Sequence, residues 1–425
     1  MDPDKDARMK IKDVEFFYLD VPMKPVPQRN MERTLRSWSV FQICRIELDN
    51  GLVGIGETLP SYTWSSVAGG VAEKLKGRSP FDFLWDDRLG AGVQMALFDA
   101  AGKVAGVPAH RLMGPVHRHW CPISWWAIDM PPQDYAAETR QAMAMGYTSM
   151  KQKPRPWFDV YEQVRQTAAC ATENFKIDLD FNAHLIDAAN ATGVLTQLEQ
   201  CTQVAMIESP IPQEDVSGNR RIRRQTRCPI AMHFGNPPFP TAVREEICDG
   251  FVISGGATTC LRQFACAAQF NMPGWLQLVG TGITTTWALH LGAVASHARW
   301  PMITCMNMYE SQLISDPIEV RGGFARVPDK PGLGIAFDES SLRWKVESAE
   351  KPCPAALYAL VRDGGQKIWF APEYADKGYW TESLRGNFPG VFEHGVHLER
   401  WLDDGSGDWQ DLHRRLKHAV VHSRP

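Results

Sequence analysis

The chain has 425 residues, 44% of them apolar, and 45 Lys plus Arg against 49 Asp plus Glu, a formal net charge of −4. That length suits one large domain with accessory parts, and the lack of a basic excess argues against nucleic acid or a membrane surface as a partner. No apolar run reaches the roughly 18 residues a membrane span needs. Residues 9–60 then read as β: Ile11 to Val21 alternates, Ser39 to Leu48 is a second strand, Asp49-Asn50-Gly51 is a hairpin turn, and Leu52 to Glu57 returns as a third strand. Pro25 to Arg36 reads as a loop. From Gly92, apolar residues at Val93, Ala96, Leu97, Ala100 and Val104 follow helical spacing until Gly106-Val-Pro108.

From Cys121 the rhythm changes. Eight apolar runs, at 121–127, 147–153, 175–181, 204–209, 229–234, 250–254, 275–280 and 301–307, alternate with helix-like segments such as Asp134–Met145, Asp159–Ala171 and Leu185–Glu199. Eight strand–helix units predict a (β/α)8 barrel. Domain limits are expected at 1–116 for an α+β cap, 117–335 for the barrel, 336–349 for a return segment and 350–425 for an aromatic-rich C-terminal extension. Its aromatic residues, Ile368-Trp-Phe370, Tyr379-Trp380, Trp401 and Trp409, read first as packing residues. Lid and dimerisation arm are the other readings. The ten cysteines contain no Cys-x-x-Cys pair and read as buried reduced thiols. The polar start, Met1 to Arg8, lacks a secretory apolar core, so a cytoplasmic protein is expected.

Four successive runs end in a charged or ligand-capable residue: Lys153, Asp180, Glu208 and His233, separated by 27, 28 and 25 residues. One strand, one helix and two short loops fill about that length. In a barrel such strand ends converge on one face, so Lys151, Lys153, Asp180, Glu208 and His233 are expected around one point.

In order and spacing, Gly92-Val-Gln-Met-Ala-Leu-Phe-Asp-Ala-Ala-Gly-Lys103, Lys151-Gln-Lys153, Asp180-Phe-Asn182, Ile207-Glu208-Ser-Pro210, Gly255-Gly256 and Pro331-Gly-Leu-Gly334 resemble the enolase superfamily, nearest its mandelate racemase and muconate cycloisomerase branches, over residues 9–345. The resemblance implies one divalent ion, Mg2+ in that family, held by Asp180, Glu208 and a third ligand on the fifth strand. It also implies a homo-oligomer and a small-molecule carboxylate substrate. Three positions depart from the pattern. The fifth strand offers His233 or Phe234 in place of an acid. Counting five residues back from Gly255, the sixth offers Gly250, beside Asp249. The seventh ends in Val279-Gly-Thr-Gly-Ile283.

Removing the proton next to a carboxylate makes an enolate, which two positive charges on the carboxylate oxygens stabilise. Residues i and i+2 of a strand share a face, so Lys153 is assigned as the base and Lys151 as the holder of the substrate carboxylate. Surface lysines, or ion pairs with Asp180 and Glu208, are the structural alternative. Asp180 and Glu208 suit Mg2+. His233 as a ligand would favour Mn2+, Fe2+ or Zn2+, and it reads equally as a hydrogen-bonding group. Asn182 is expected to orient a ligand or water, and Asp249, Tyr309 and Glu310 are candidate second proton donors. Arg29, Arg33 and Arg36 are candidate binders of an acidic substrate or a solvated basic stretch. Trp125 and Trp126 are either pocket wall or core. Gly250 and Gly280 would leave room for a bulky substrate. With no opposing base, the expected reaction is a dehydratase-type elimination on a sugar acid or similar acid. A cycloisomerase or epimerase, and a non-catalytic binder of a small acid or a partner, are the alternatives.

Overall fold

The computed structural model describes residues 9–423 apart from 34, 63, 65, 353, 371–384 and 390–391. Cys353, Tyr379 and Trp380 lie outside the described residues. Strands β1 (Ile11–Asp20), β2 (Val40–Leu48) and β3 (Val53–Thr58) form the expected antiparallel sheet. The helix Ala91–Ala105 lies on β3 at backbone distance. A Cβ on Gly54 would strike the Ala96 carbonyl, and one on Gly56 the Gly92 carbonyl. Gly106 ends that helix at φ +68, a conformation glycine takes without strain. The stretch expected as a loop from Pro25 holds a helix, Pro25–Met31, with proline in its first turn.

The first barrel run, expected at 121–127, is split. Its first part, β4 (Trp120–Pro122), leaves the barrel sheet, and its second, β5 (Trp125–Trp126), enters it. Strands β6 (Ser149–Gln152), β7 (Lys176–Asp180), β8 (Val204–Glu208), β9 (Ile230–His233), β10 (Gly250–Ile253) and β11 (Gly274–Leu276) follow in sequential order, all parallel. The eighth run, 301–307, forms no long ladder. Met302 nevertheless pairs with Ile123, and Ile303 with Gln277, both in parallel. These bridges join the two open edges and close a (β/α)8 barrel. Crossover helices such as Pro132–Ala144, Val160–Cys170 and Ala188–Leu198 cover its outside. All four side chains of β6 are buried, as expected of a strand covered on both faces.

After the barrel, β12 (Val320–Arg321) and β13 (Phe324–Arg326) build an antiparallel sheet with β4. Then β14 (Lys345–Val346) returns to pair with β1. The C-terminal extension is a third antiparallel sheet: β15 (Ala356–Val361), β16 (Lys367–Phe370), β17 (His397–Leu402) and β18 (Val421–Ser423), in the order β17-β15-β16-β18. The helix Gly407–Leu416 covers it, burying Trp409 and Leu416. The aromatic residues described there are mainly packing residues. Among the described residues, no helix is long and apolar enough to cross a membrane, and the described cysteines are unpaired, six of them buried.

Acidic side chains, Glu57 and Asp99 fully buried among them, join the N-terminal part to the barrel. Glu57 on β3 accepts from the backbone N–H groups of Thr281 (2.7 Å) and Thr284 (2.8 Å) and from the Thr281 hydroxyl (2.6 Å). It thereby caps the helix Gly282–Val294 from outside. Asp87 does the same for the helix Ala257–Gln269 through the N–H groups of Thr258 and Thr259. Asp99 accepts from Ile55 N and Leu333 N, tying the helix Ala91–Ala105 to the Pro331–Gly334 turn.

A buried histidine pair lies beneath that turn. His290 Nε2 is 3.0 Å from the Leu333 carbonyl, so Nε2 carries the proton, and its Nδ1 accepts from His110 Nδ1 at 3.0 Å. Burial pushes His290 down to about 4. The ordinary value of an unfolded histidine is about 6.5, so as the pH falls the unfolded chain takes up this proton first. Stability is therefore expected to fall between pH 6.5 and about 4, by on the order of 3 kcal/mol from this group. Denaturation midpoints of the wild type and His290→Gln across that range check this. The variant should lose less stability on acidification, and an equal loss would remove His290 as a cause.

Candidate active site

The site is assembled from strand register. Asp178 pairs with Lys151 and Asp180 with Glu208, so the inward residues of β6, β7 and β8 adjoin. Lys151 is 1% exposed. Its Nζ lies 2.5 Å from Glu208 Oε2 and 3.1 Å from Asp180 Oδ2, and it donates to Gln277 Oε1 at 2.7 Å. Lys153 reaches more open space. Its Nζ pairs with Asp180 and donates to Asn182 Oδ1 at 2.9 Å. The predicted convergence of two lysines and two carboxylates is therefore present as a network of ion pairs.

The two lysines differ electrically. Burial opposes the charge on Lys151, but Asp180 and Glu208 outweigh it and hold its pKa above the ordinary lysine value. For Lys153, burial aided by the like charges of Lys151 and Arg155 outweighs Asp180, and the pKa is lowered. Against its own burial, the neighbouring lysines hold Asp180 far below the usual carboxylate range.

His233 Nε2 stands 3.2 Å from Glu208 Oε1, and its side chain is 40% exposed. The register partner of Glu208 on β9 is Ala231, so His233 lies two residues further along its strand. Among the described residues, no group of three or more His, Cys, Asp and Glu side chains is set to hold a metal ion. That does not suit the softer ions His233 would invite. Mg2+ keeps several waters and needs only one or two protein carboxylates. Asp180 and Glu208 are both buried, and among the described residues the Glu208 oxygens meet only the ion-pair contacts of Lys151 and His233. Two hard, buried oxygen donors with spare lone pairs fit that ion.

Three residues at the site were not anticipated. Arg155 donates to Asn182 Oδ1 at 2.7 Å and to the Asp180 carbonyl at 3.3 Å. It continues the alternation of Lys151 and Lys153, which was its available signal. Gln277 joins Lys151 to the Tyr62 hydroxyl, to which its Nε2 donates at 2.8 Å. A lone amide inside the apolar run from Trp275 to Val279 marked it. Tyr62 comes from the N-terminal part and carried no signal. Asn182, expected to orient a ligand, binds Lys153 and Arg155.

Other expectations need correction. Gly250 is the first residue of β10, as the expected run 250–254 has it, and the partner of His233 on that strand is Val252. Asp249 precedes that strand. It pairs with Arg223 at 2.9 Å and accepts from Ile230 N, so it is no proton donor at the site. Asp249→Asn is accordingly expected to leave any α-proton exchange within about twofold of wild type, checked by NMR in D2O, because a replaced surface ion pair changes little. The two glycines leave no room for substrate either. A Cβ on Gly250 would strike Trp300 and the Pro273 carbonyl, and one on Gly280 would strike Thr284 and Glu57. The Tyr309 hydroxyl donates to the Trp38 carbonyl. Glu310 lines a separate cavity of about 890 Å³ beside Lys24 and Tyr147. Arg29 is bound by Asp134, Arg33 by Asp129, and Arg36 by the carbonyls of Pro352 and Glu32, so all three hold the protein together. Trp125 is core, and its indole donates to Glu138. Trp126 stacks on Trp38, which packs against Tyr62, and so backs the site rather than lining it.

Comparison with known proteins agrees with this fold. Residues 134–341 match the model of the enolase C-terminal domain-like family. The chain is 22% identical over 391 residues to a D-gluconate dehydratase of Thermoproteus tenax, covering 80% of this chain and 77% of that protein. It is 25% identical over 354 residues to a D-galactonate dehydratase of Ralstonia nicotianae, covering 73% and 92%. The crystal structure of a dipeptide epimerase from Cytophaga hutchinsonii, complexed with Mg and a dipeptide, superposes with a TM-score of 0.64 at 22% identity, over 80% of this chain and 99% of that one. Lys151, Lys153, Asp180 and Glu208 all lie within the stretch that matches the enolase C-terminal domain-like family model, and the fold is that of a solved N-succinyl Arg/Lys racemase and a solved muconate cycloisomerase.

Proposed function

We propose that the chain is a lyase that removes the proton α to the carboxylate of a small acid, with Lys153 as base, and eliminates water from a sugar acid or similar acid. The observation that carries this reading is the division between the two lysines. Lys151 is enclosed and triply held, whereas Lys153 stands at the open side of the same carboxylates. Before Lys153 gives up its proton to act as base, Lys151, Lys153 and Arg155 set three cations against two carboxylates, an excess that suits the arrival of an anionic ligand.

In this mechanism neutral Lys153 Nζ takes the α-proton. The Lys151 ammonium stabilises charge developing on the substrate carboxylate. The resulting Lys153 ammonium returns its proton to a β-hydroxyl on the same face, which leaves as water, and the enol product ketonises. Asn182 and Arg155 hold Lys153 in line. Asp180 and Glu208 would hold Mg2+, which would supply further positive charge to the substrate carboxylate. A 1,1-proton transfer needs a second base on the opposite face, where Val252 and Gly280 offer none; this favours elimination over epimerisation.

D-Gluconate and D-galactonate with Mg2+ are the first substrates to test, with 2-keto acid formation as the readout. Release of a 2-keto acid that stops in Lys153→Met supports the reading. Tight binding of these acids with neither product nor α-proton exchange would favour a non-catalytic binder, the reading that the closed ion-pair network also suits.

A further inference from the structure

We propose that the C-terminal sheet is a positioning element of this site, clamping from outside the two loops that carry Lys153, Arg155 and Asn182; the role of those residues rests on the function proposed above. The loop after β6 continues from Arg155 into Trp157 and Phe158. Both are buried in a core shared with Tyr358, Leu360, Phe370 and Phe388 of the extension, separate from the barrel core. The next residue, Asp159, accepts from Gly395 N at 2.8 Å, and its own N–H donates to the Val396 carbonyl at 3.2 Å. Tyr161 stacks on His394 at 4.2 Å and 23°.

The loop after β7 is held by the same segment. Phe181, between Asp180 and Asn182, meets Phe392 edge to face at 5.6 Å and 80°. Asn182 and Ala183 follow at φ +44 and +69. Non-glycine residues rarely adopt that region, and surrounding structure must enforce it, at a cost of about 1–3 kcal/mol each. Phe392 on Phe181 supplies part of that enforcement. Asp129 completes the frame, accepting from Trp157 Nε1 and Arg33 Nη1, both at 2.8 Å. The extension thus fixes the direction of Lys153 and Arg155 without touching the reacting atoms.

Amide hydrogen exchange on the full chain tests this without a substrate. Phe392→Ala is expected to speed exchange about tenfold in peptides covering 153–158 and 181–184, with those covering 250–253 unchanged, because the effect is local. Phe392→Leu, which refills the space, should restore slow exchange. Should Phe392→Ala fail to fold, His394→Ala tests the same clamp through Tyr161 and should show a smaller rise confined to the same peptides. Unchanged exchange there, or a uniform rise across the chain, would overturn the proposal. Neither result bears on whether Lys153 is a base, which α-proton exchange reads separately.

Discussion

Lys153→Met is expected to slow α-proton removal by about 10²–10⁴-fold, the usual contribution of a positioned general base, while the fold survives. Methionine keeps much of the apolar stem and deletes the amine. Asp180 would lose one partner but keep Lys151 at 3.1 Å, so its charge stays compensated. The same substitution at Lys151 should act differently. Lys151 is the cation between two buried carboxylates, and removing one partner of a buried ion pair costs about 3–5 kcal/mol. Lys151→Met should therefore lower the denaturation midpoint sharply, and Lys153→Met should leave it nearly unchanged. Rates of deuterium incorporation, set beside melting curves for both variants, check the contrast. A Lys153→Met protein with the wild-type rate would remove this residue from the mechanism.

The second large effect is expected at Glu57. It is fully buried, and burial raises its pKa against the pull of its donors on Thr281 and Thr284. Glu57→Ala would leave the buried N–H groups of Thr281 and Thr284 at a helix start unpaired, with only the Thr281 side chain still capping Ile283 N. The expected cost is on the order of 3 kcal/mol or more. The N-terminal sheet and the barrel would lose a shared anchor, so a broadened or split thermal transition should accompany the lower midpoint. Glu57→Gln keeps an acceptor oxygen for Thr281 and Thr284 and should recover part of the loss. If Glu57→Ala melted like the wild type, the cap would contribute nothing to joining the two parts.

Much of this architecture was legible because strand ends and periodicity survive in the sequence. Lys151, Lys153, Asp180 and Glu208 are adjacent because their spacing matches one strand–helix unit each, and closure brings successive strands together. What stayed illegible was the surroundings of single side chains: Gly250, reached by counting back from Gly255-Gly256, does open β10 as the run 250–254 predicted, but nothing local tells what packs against it. Glycines were also read as empty space, when Gly250 and Gly280 are sites where Trp300 and Glu57 approach. Arg29 and Arg33 were ambiguous because their partners, Asp134 and Asp129, lie about a hundred residues away. Tyr62 and Gln277 belong to the site through a contact across 215 residues, which no local pattern encodes.

The most direct test of the central claim is proton NMR of the wild type in D2O with Mg2+ and a panel of sugar acids that includes D-gluconate and D-galactonate. Loss of the α-proton signal from at least one acid, with the loss abolished in Lys153→Met, is the predicted result. Retention of the α-proton in every acid that demonstrably binds would contradict proton abstraction as the activity of this site.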